Sequence, residues 1–107
     1  MTLLDKQQAF VRLIAKLIVF AYDRGYELTF GESYDDDGVG HMRNSNHYIR
    51  LAADLNLFKN NVWLKKSELH KELGEYWESL GTPDCKTAWG GRWGDGNHYS
   101  IEHEGRK

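Results

Sequence analysis

The spacing of apolar residues changes along this chain, and this change restricts its fold more than any other feature of the sequence. Residues 3–24 carry apolar side chains every three or four positions, which is typical of an amphipathic helix. Thr2 and Asp5 form a capping-box pattern at its start, and Gly25 is a typical stop. Apolar and polar residues then alternate, which predicts a half-buried strand with these residues on its apolar side: Tyr26, Leu28 and Phe30.

A hairpin follows in the middle of the chain. In the stretch ADLNLF, Leu55 and Leu57 are predicted to face the core, while Asp54 faces the opposite side. Residues 59–61, KNN, suit a tight turn, and VWLK then returns as a second strand with Trp63 in the core.

A second helix is predicted after the hairpin, capped by Ser67 and ended by Gly81 and Pro83. Its core-facing stripe comprises Leu69, Leu73, Tyr76, Trp77 and Leu80. A last short strand is expected over residues 98–101. Helix, strand, hairpin, helix and strand in this order indicate the α+β class, with a small antiparallel sheet packed against two main helices. A length of 107 residues favours a single domain over residues 1–107.

Composition excludes several roles and suggests a compartment. The net charge is −2 and the basic residues are scattered, so nucleic acid is not an expected partner. We expect no membrane partner either, and we expect a monomer. The N-terminal apolar stretch is interrupted by charges and lacks the pattern of a signal peptide. A single cysteine, Cys85, excludes an internal disulfide. We therefore expect synthesis and folding in the cytoplasm.

Two pairs of residues are candidates for metal chemistry. Asp54 follows His47 by seven positions, and His98 follows Asp95 by three. A carboxylate on a half-buried strand needs a partner, and a metal ion would supply one. Two imidazoles and one carboxylate with an open fourth position are typical of catalytic zinc sites. The other histidines are predicted to lie on the surface: His41, His70 and His103.

Two motifs in the same order resemble those of a known family. The segment NSNHYIRLAADLNLF looks like the S-x-H-x(6)-D signature of the zinc D-Ala-D-Ala and L-Ala-D-Glu peptidases of peptidoglycan. The segment WGGRWGDGNHYS looks like their second signature, W-G-G-x-[WF] followed by D-x-x-H-[FY]. Within this family the chain is most similar to bacteriophage endolysins. The resemblance covers roughly residues 10–102 and implies the hedgehog-like fold of these enzymes.

The resemblance also implies roles for individual residues. His47, Asp54 and His98 would bind Zn²⁺, and Asp95 would be the catalytic acid/base. Ser45, two positions before the first ligand, would position the substrate or make only a local backbone hydrogen bond.

One departure from the family concerns an arginine that relatives carry shortly after a G-E-x-Y stretch. Here GESY is followed by three aspartates, and Arg43 and Arg50 are the nearest candidates to replace it. Arg43 could reach the site from a different position and is the candidate for contact with substrate. Trp89 and Trp93 either line the substrate cleft or hold the glycine-rich loop beneath the metal, and Trp93 is the candidate for contact with substrate.

The implied function is hydrolysis of peptidoglycan stem peptides, between L-Ala and D-Glu, during phage lysis. The protein would stay in the host cytoplasm until it is released to the cell wall. Two alternatives remain open: a D-Ala-D-Ala carboxypeptidase or dipeptidase, and a catalytically weak, zinc-stabilised wall-binding module. The absent arginine favours the module, whereas Asp95 beside His98 favours an enzyme.

Overall fold

The first helix has the predicted bounds to within one residue. The structure, a computed structural model, describes residues 1–31 and 49–107. Helix α1 spans Leu3–Asp23. At its start the Asp5 amide donates to Thr2 Oγ1, and the Thr2 amide donates to Asp5 Oδ2, each over 3.0 Å, which confirms the capping box. Gly25, at φ +86°, turns the chain out of the helix and into the sheet.

Within the described residues, five antiparallel strands form one sheet, and this confirms the α+β class. The strands are β1 (Glu27–Phe30), β2 (Ala52–Lys59), β3 (Val62–Trp63), β4 (Thr87–Trp89) and β5 (His98–Ile101). Their order is β1-β2-β5-β4, and β3 pairs with the far end of β2. The sequence did not predict β4, since it is only three residues long and runs directly into a glycine-rich turn.

The β2–β3 hairpin turns at two asparagines, as predicted. Asn60 and Asn61 have φ of 51° and 63°, the left-handed conformation that a two-residue type I′ turn requires. Leu55 and Leu57 are buried, which confirms the predicted alternation along β2. The prediction that Trp63 is a core residue was wrong: it is 49% exposed and stacks on Phe58 at the open edge of the hairpin.

The second helical segment begins differently from the prediction. Ser67–His70 form a 3₁₀ turn, and helix α2 follows as Lys71–Ser79. A 3₁₀ turn rotates each residue further about the axis than an α-helix does, so positions before α2 leave the predicted stripe. Consequently Leu69 is 43% exposed, whereas His70, predicted to lie on the surface, is 2% exposed.

The core lies between the sheet and the two helices. Trp77 of α2 is fully buried, and its ring packs edge-on against Phe10 of α1 and against Tyr99 of β5. Its Nε1 donates to the carbonyls of Ala88 and Ser100, each at 3.0 Å, so the indole also ties β4 to β5.

The first strand is less buried than the sequence indicates. Leu28 is half-buried, but Phe30 is 70% exposed, so the alternation predicted for this strand does not extend to its last residue. No helix within residues 1–31 and 49–107 is both long enough and apolar enough to cross a bilayer.

Candidate metal centre

Asp54 and His98 lie side by side on neighbouring strands. The two residues are direct partners in the antiparallel register of β2 and β5. His98 Nδ1 lies 3.7 Å from Asp54 Oδ1, and their side chains are only 6% and 15% exposed. Paired residues in a sheet project on the same side, so register alone brings this imidazole and carboxylate together. They are separated by 44 positions in sequence, and the fold joins them.

The spacing of these two atoms fits ligands of one zinc ion. A distance of 3.7 Å is longer than the 2.7–3.2 Å of an N–H···O hydrogen bond. Zinc bonds of about 2.0–2.2 Å in a tetrahedral arrangement place two ligand atoms about 3.4 Å apart. An imidazole nitrogen and a carboxylate oxygen are also donor types found in protein zinc sites. Asp54 and His98 therefore fit the metal in both chemistry and spacing.

Asp95 lies on the solvent side of this pair. Its Oδ2 is 3.9 Å from the same nitrogen, His98 Nδ1, and its side chain is 53% exposed. A carboxylate that is near the metal position yet open to solvent can exchange protons with water or with a substrate. Its exposure distinguishes Asp95 from Asp54, whose carboxylate is mostly buried.

Backbone hydrogen bonds fix the turn that carries Asp95. The Asp95 amide donates to the Gly90 carbonyl over 2.8 Å, and the His98 amide donates to the Asp95 carbonyl over 3.1 Å. Gly94, directly before Asp95, has φ +84°, a conformation that glycine adopts without strain. The turn thus sets the position of Asp95 relative to His98.

Gly96, the next residue after Asp95, is held from two sides. Its amide donates to Ser67 Oγ over 2.9 Å, and its carbonyl accepts from Trp89 Nε1 over 2.8 Å. A Cβ at this position would lie 2.5 Å from the Ser67 Cα, so only glycine fits. The sequence predicted Ser67 as a helix cap, but its side chain caps no helix and binds this loop instead.

The two tryptophans of the glycine-rich segment have different positions. Trp89 is 4% exposed and lies beneath the loop, with its indole bonded to Gly96. Trp93 is 47% exposed, and its ring centroid lies 5.5 Å from that of His98. Trp89 therefore supports the loop from inside, while Trp93 stands at the surface beside the candidate ligand.

An ion pair connects this segment to α2. Arg92 binds Glu78 through two hydrogen bonds, Nε to Oε2 at 2.8 Å and Nη2 to Oε1 at 2.7 Å. The guanidinium also lies 5.1 Å from the centroid of the Trp89 ring. Hydrogen bonding from Arg92 lowers the pKa of Glu78, so the pair stays ionised at neutral pH.

A buried histidine lies on the core side of the site. His70 Nδ1 is 2.9 Å from the Tyr99 hydroxyl, and Tyr99 adjoins the candidate ligand His98 in β5. Burial lowers the pKa of His70 and raises that of Tyr99, so both side chains are neutral at pH 7. The sequence offered no sign of this contact, because it depends on the 3₁₀ turn.

The remaining predicted site residues lie outside the described residues: Arg43, Ser45 and His47. Arg50 is exposed, at φ +58°. Within residues 1–31 and 49–107, no group of three His, Cys, Asp or Glu side chains is arranged to hold a metal ion. The described part of the chain thus holds two of the three predicted ligands.

Comparison with known proteins gives one family. No curated protein and no solved structure matches the chain. A family model described as D-alanyl-D-alanine carboxypeptidase matches residues 39–101, which is more than half of the chain and contains Asp54, Asp95 and His98. The chain therefore belongs to the D-alanyl-D-alanine carboxypeptidase family of peptidases.

Proposed function

We propose that this protein is a zinc-dependent peptidase that hydrolyses the stem peptides of peptidoglycan. His47, Asp54 and His98 would hold the zinc ion, and Asp95 would be the acid/base. The observation that carries the proposal is the pairing of Asp54 with His98 across β2 and β5, with Asp95 3.9 Å from the same imidazole nitrogen. Membership of a peptidase family supports it independently.

The burial of Asp54, His98 and Asp95 supports different roles for these residues in the reaction. A zinc ion bound there would polarise the peptide carbonyl and lower the pKa of water to about 7. Asp54 and His98, both shielded from solvent, would fix the ion. Asp95, half exposed, would accept a proton from the attacking water and pass it to the amine that leaves. The backbone hydrogen bonds at Gly90 and Gly96 fix the turn that carries this carboxylate.

For the bond that is cleaved, two candidates have separate support. The two sequence motifs resemble phage endolysins and favour cleavage between L-Ala and D-Glu during lysis of the host. The description of the matching family model favours removal of the terminal D-Ala from a D-Ala-D-Ala peptide. The two activities release different products from one stem pentapeptide, so chromatography of the digest distinguishes them.

Metal content and hydrolysis together test the proposal. We expect purified protein to hold about one zinc per chain and to hydrolyse stem peptides and permeabilised Gram-negative cells, with activity lost to a chelator. His98→Ala should lose zinc and activity. Asp95→Asn should keep zinc while kcat falls by about 10²–10⁴-fold.

A control and two contrary results complete this experiment. His103→Ala is the matched control, because His103 contacts Lys6 instead of the site and its loss should leave zinc and activity unchanged. Unaltered zinc content in His98→Ala would refute the ligand assignment. Zinc binding without hydrolysis in the wild-type protein would instead support a zinc-stabilised wall-binding module.

A further inference from the structure

A polar pocket of about 240 Å³ opens beside Asp95. It lies between the β2–β3 hairpin, the 3₁₀ turn before α2 and the loop of residues 94–97. Its volume is smaller than the roughly 300–1,000 Å³ of pockets for drug-sized ligands, and suits about one amino-acid residue. Six of the ten described residues that line it have polar side chains: Asn56, Lys65, Ser67, His70, Asp95 and Asn97.

Among the described residues that line this pocket, Lys65 is the only one with a positive charge. Burial lowers the pKa of His70, so that imidazole is neutral at pH 7, and its Nδ1 already contacts Tyr99. Ser67 Oγ already accepts from the Gly96 amide. The described lining of the pocket therefore holds one cation, Lys65, and one carboxylate, Asp95, to which the catalytic role is assigned.

Contacts in the hairpin hold the lysine and an amide in place. Lys65 Nζ lies 4.5 Å from the centroid of the Trp63 ring, a cation–π contact that limits the conformations of a flexible side chain. Asn97 Nδ2 donates to Asn56 Oδ1 over 3.5 Å, which links the hairpin wall to the loop wall. The ammonium group is thus preorganised at the pocket, and part of the entropy cost of binding an anion is already met.

The position of Asp95 indicates which of the two residues joined by the scissile bond binds in the pocket. A general acid protonates the leaving amine, so it must lie within hydrogen-bond reach of that nitrogen. The pocket that Asp95 lines therefore adjoins the residue released with a new amino group. In both candidate substrates this residue carries a free carboxylate, on D-Glu after L-Ala or on the terminal D-Ala.

We propose that this pocket binds the residue on the amine side of the cleaved bond and that Lys65 pairs with its carboxylate. This inference rests on the proposed peptidase function and assigns its specificity. Lys65 is a specificity residue, and Asn56 of the hairpin wall and Asn97 of the loop wall also line the pocket. A substrate whose carboxylate is converted to an amide loses the ion pair while keeping its size.

Matched peptides and lysine variants test this assignment. The peptides are stem peptides with the carboxylate of that residue either free or amidated, assayed with wild-type protein and with Lys65→Met, Lys65→Arg and Lys66→Met. We expect the wild type to favour the free acid by about 3–30-fold in kcat/KM, mainly through KM. Lys65→Met should lose this preference, and Lys65→Arg should keep most of it. Lys66 is exposed and does not line the pocket, so Lys66→Met should behave as wild type.

Binding of the product separates this inference from the proposed function. The fragment released with the new amino group is titrated into each protein by calorimetry, in its acid and amide forms. A charge preference that depends on Lys65 supports the inference even where hydrolysis fails. Equal cleavage and equal binding of acid and amide by the wild type would overturn the inference and leave the peptidase function standing. Equal losses in Lys65→Met and Lys66→Met would also overturn it.

Discussion

Replacing Gly74 with alanine should destabilise the protein, because the packing clash that it creates outweighs the gain in helix propensity. Gly74 is buried in α2, where alanine would favour the helix by about 0.8–1.0 kcal/mol. A Cβ at this position, however, would lie 2.0 Å from Trp89 Cδ2 and 2.3 Å from Cε2. Real contacts of this kind are never so short, so the indole or the helix must move.

The magnitude follows from what the displaced indole loses. Overpacking a core costs about 1–3 kcal/mol. A shifted Trp89 also weakens its hydrogen bond to Gly96, worth about 0.5–1.5 kcal/mol. After the gain in helix propensity, Gly74→Ala should lower the free energy of unfolding by about 1–3 kcal/mol. Since Gly96 adjoins Asp95, kcat should fall as well.

Urea unfolding measures this change, with two variants as controls. A loss of about 2 kcal/mol moves the midpoint by about 1 M for an m-value near 2 kcal/mol/M. Glu75→Ala, at an exposed position in the same helix, should leave the midpoint nearly unchanged. Trp89→Leu replaces the indole with a smaller side chain, so Gly74→Ala should lower the free energy of unfolding less in that background than in the wild type. A double-mutant cycle measures this difference. A Gly74→Ala protein as stable as wild type would refute the packing argument.

Two further predictions concern the groups around the loop and the buried histidine. Ser67→Ala removes the acceptor of the Gly96 amide, so it should lower the free energy of unfolding, measured in urea, by about 1–2 kcal/mol. It should also lower kcat while the zinc content stays unchanged. A variant with normal kcat would show that Ser67 does not position Asp95. Because burial lowers the pKa of His70 in the folded protein, His70 is protonated at a higher pH in the unfolded chain than in the folded one. The free energy of unfolding of the wild type should therefore decrease as pH falls below about 6.5, by up to ~1.4 kcal/mol per pH unit from this group. His70→Asn, whose amide oxygen can accept from Tyr99, should reduce that slope, and identical pH profiles of the two proteins would contradict the assignment.

The sequence predicted most of the elements, because they depend on local pattern. The Thr2–Asp5 capping box and the helical periodicity after it fixed α1, and two asparagines in left-handed conformation fixed the turn of the hairpin. Alternation along β2 also predicted that Asp54, one of the two paired residues of the candidate site, projects from the face of the strand opposite to that of Leu55. Local conformational preferences act over a few residues, so they can be recognised from the sequence without knowledge of the tertiary structure.

Predictions that needed a partner in space were less successful. Trp63 is as apolar as a core residue, but it lies on a two-residue strand at the sheet edge, where it is 49% exposed and contacts Phe58 and Lys65. His70 was assigned to the surface because an α-helix was assumed from Ser67 onward, and the 3₁₀ turn reversed the inward and outward positions.

By itself, then, the sequence determined the class of the fold and the residue types that could bind a metal. It could not determine that Asp54 and His98 are register partners, since strand register depends on side-chain packing across the whole sheet. Nor could it place Ser67 and Trp89 on either side of Gly96, or Lys65 at a pocket beside Asp95. Most of these contacts join residues far apart in the chain, and only the tertiary packing of hairpin, helix and loop brings them together.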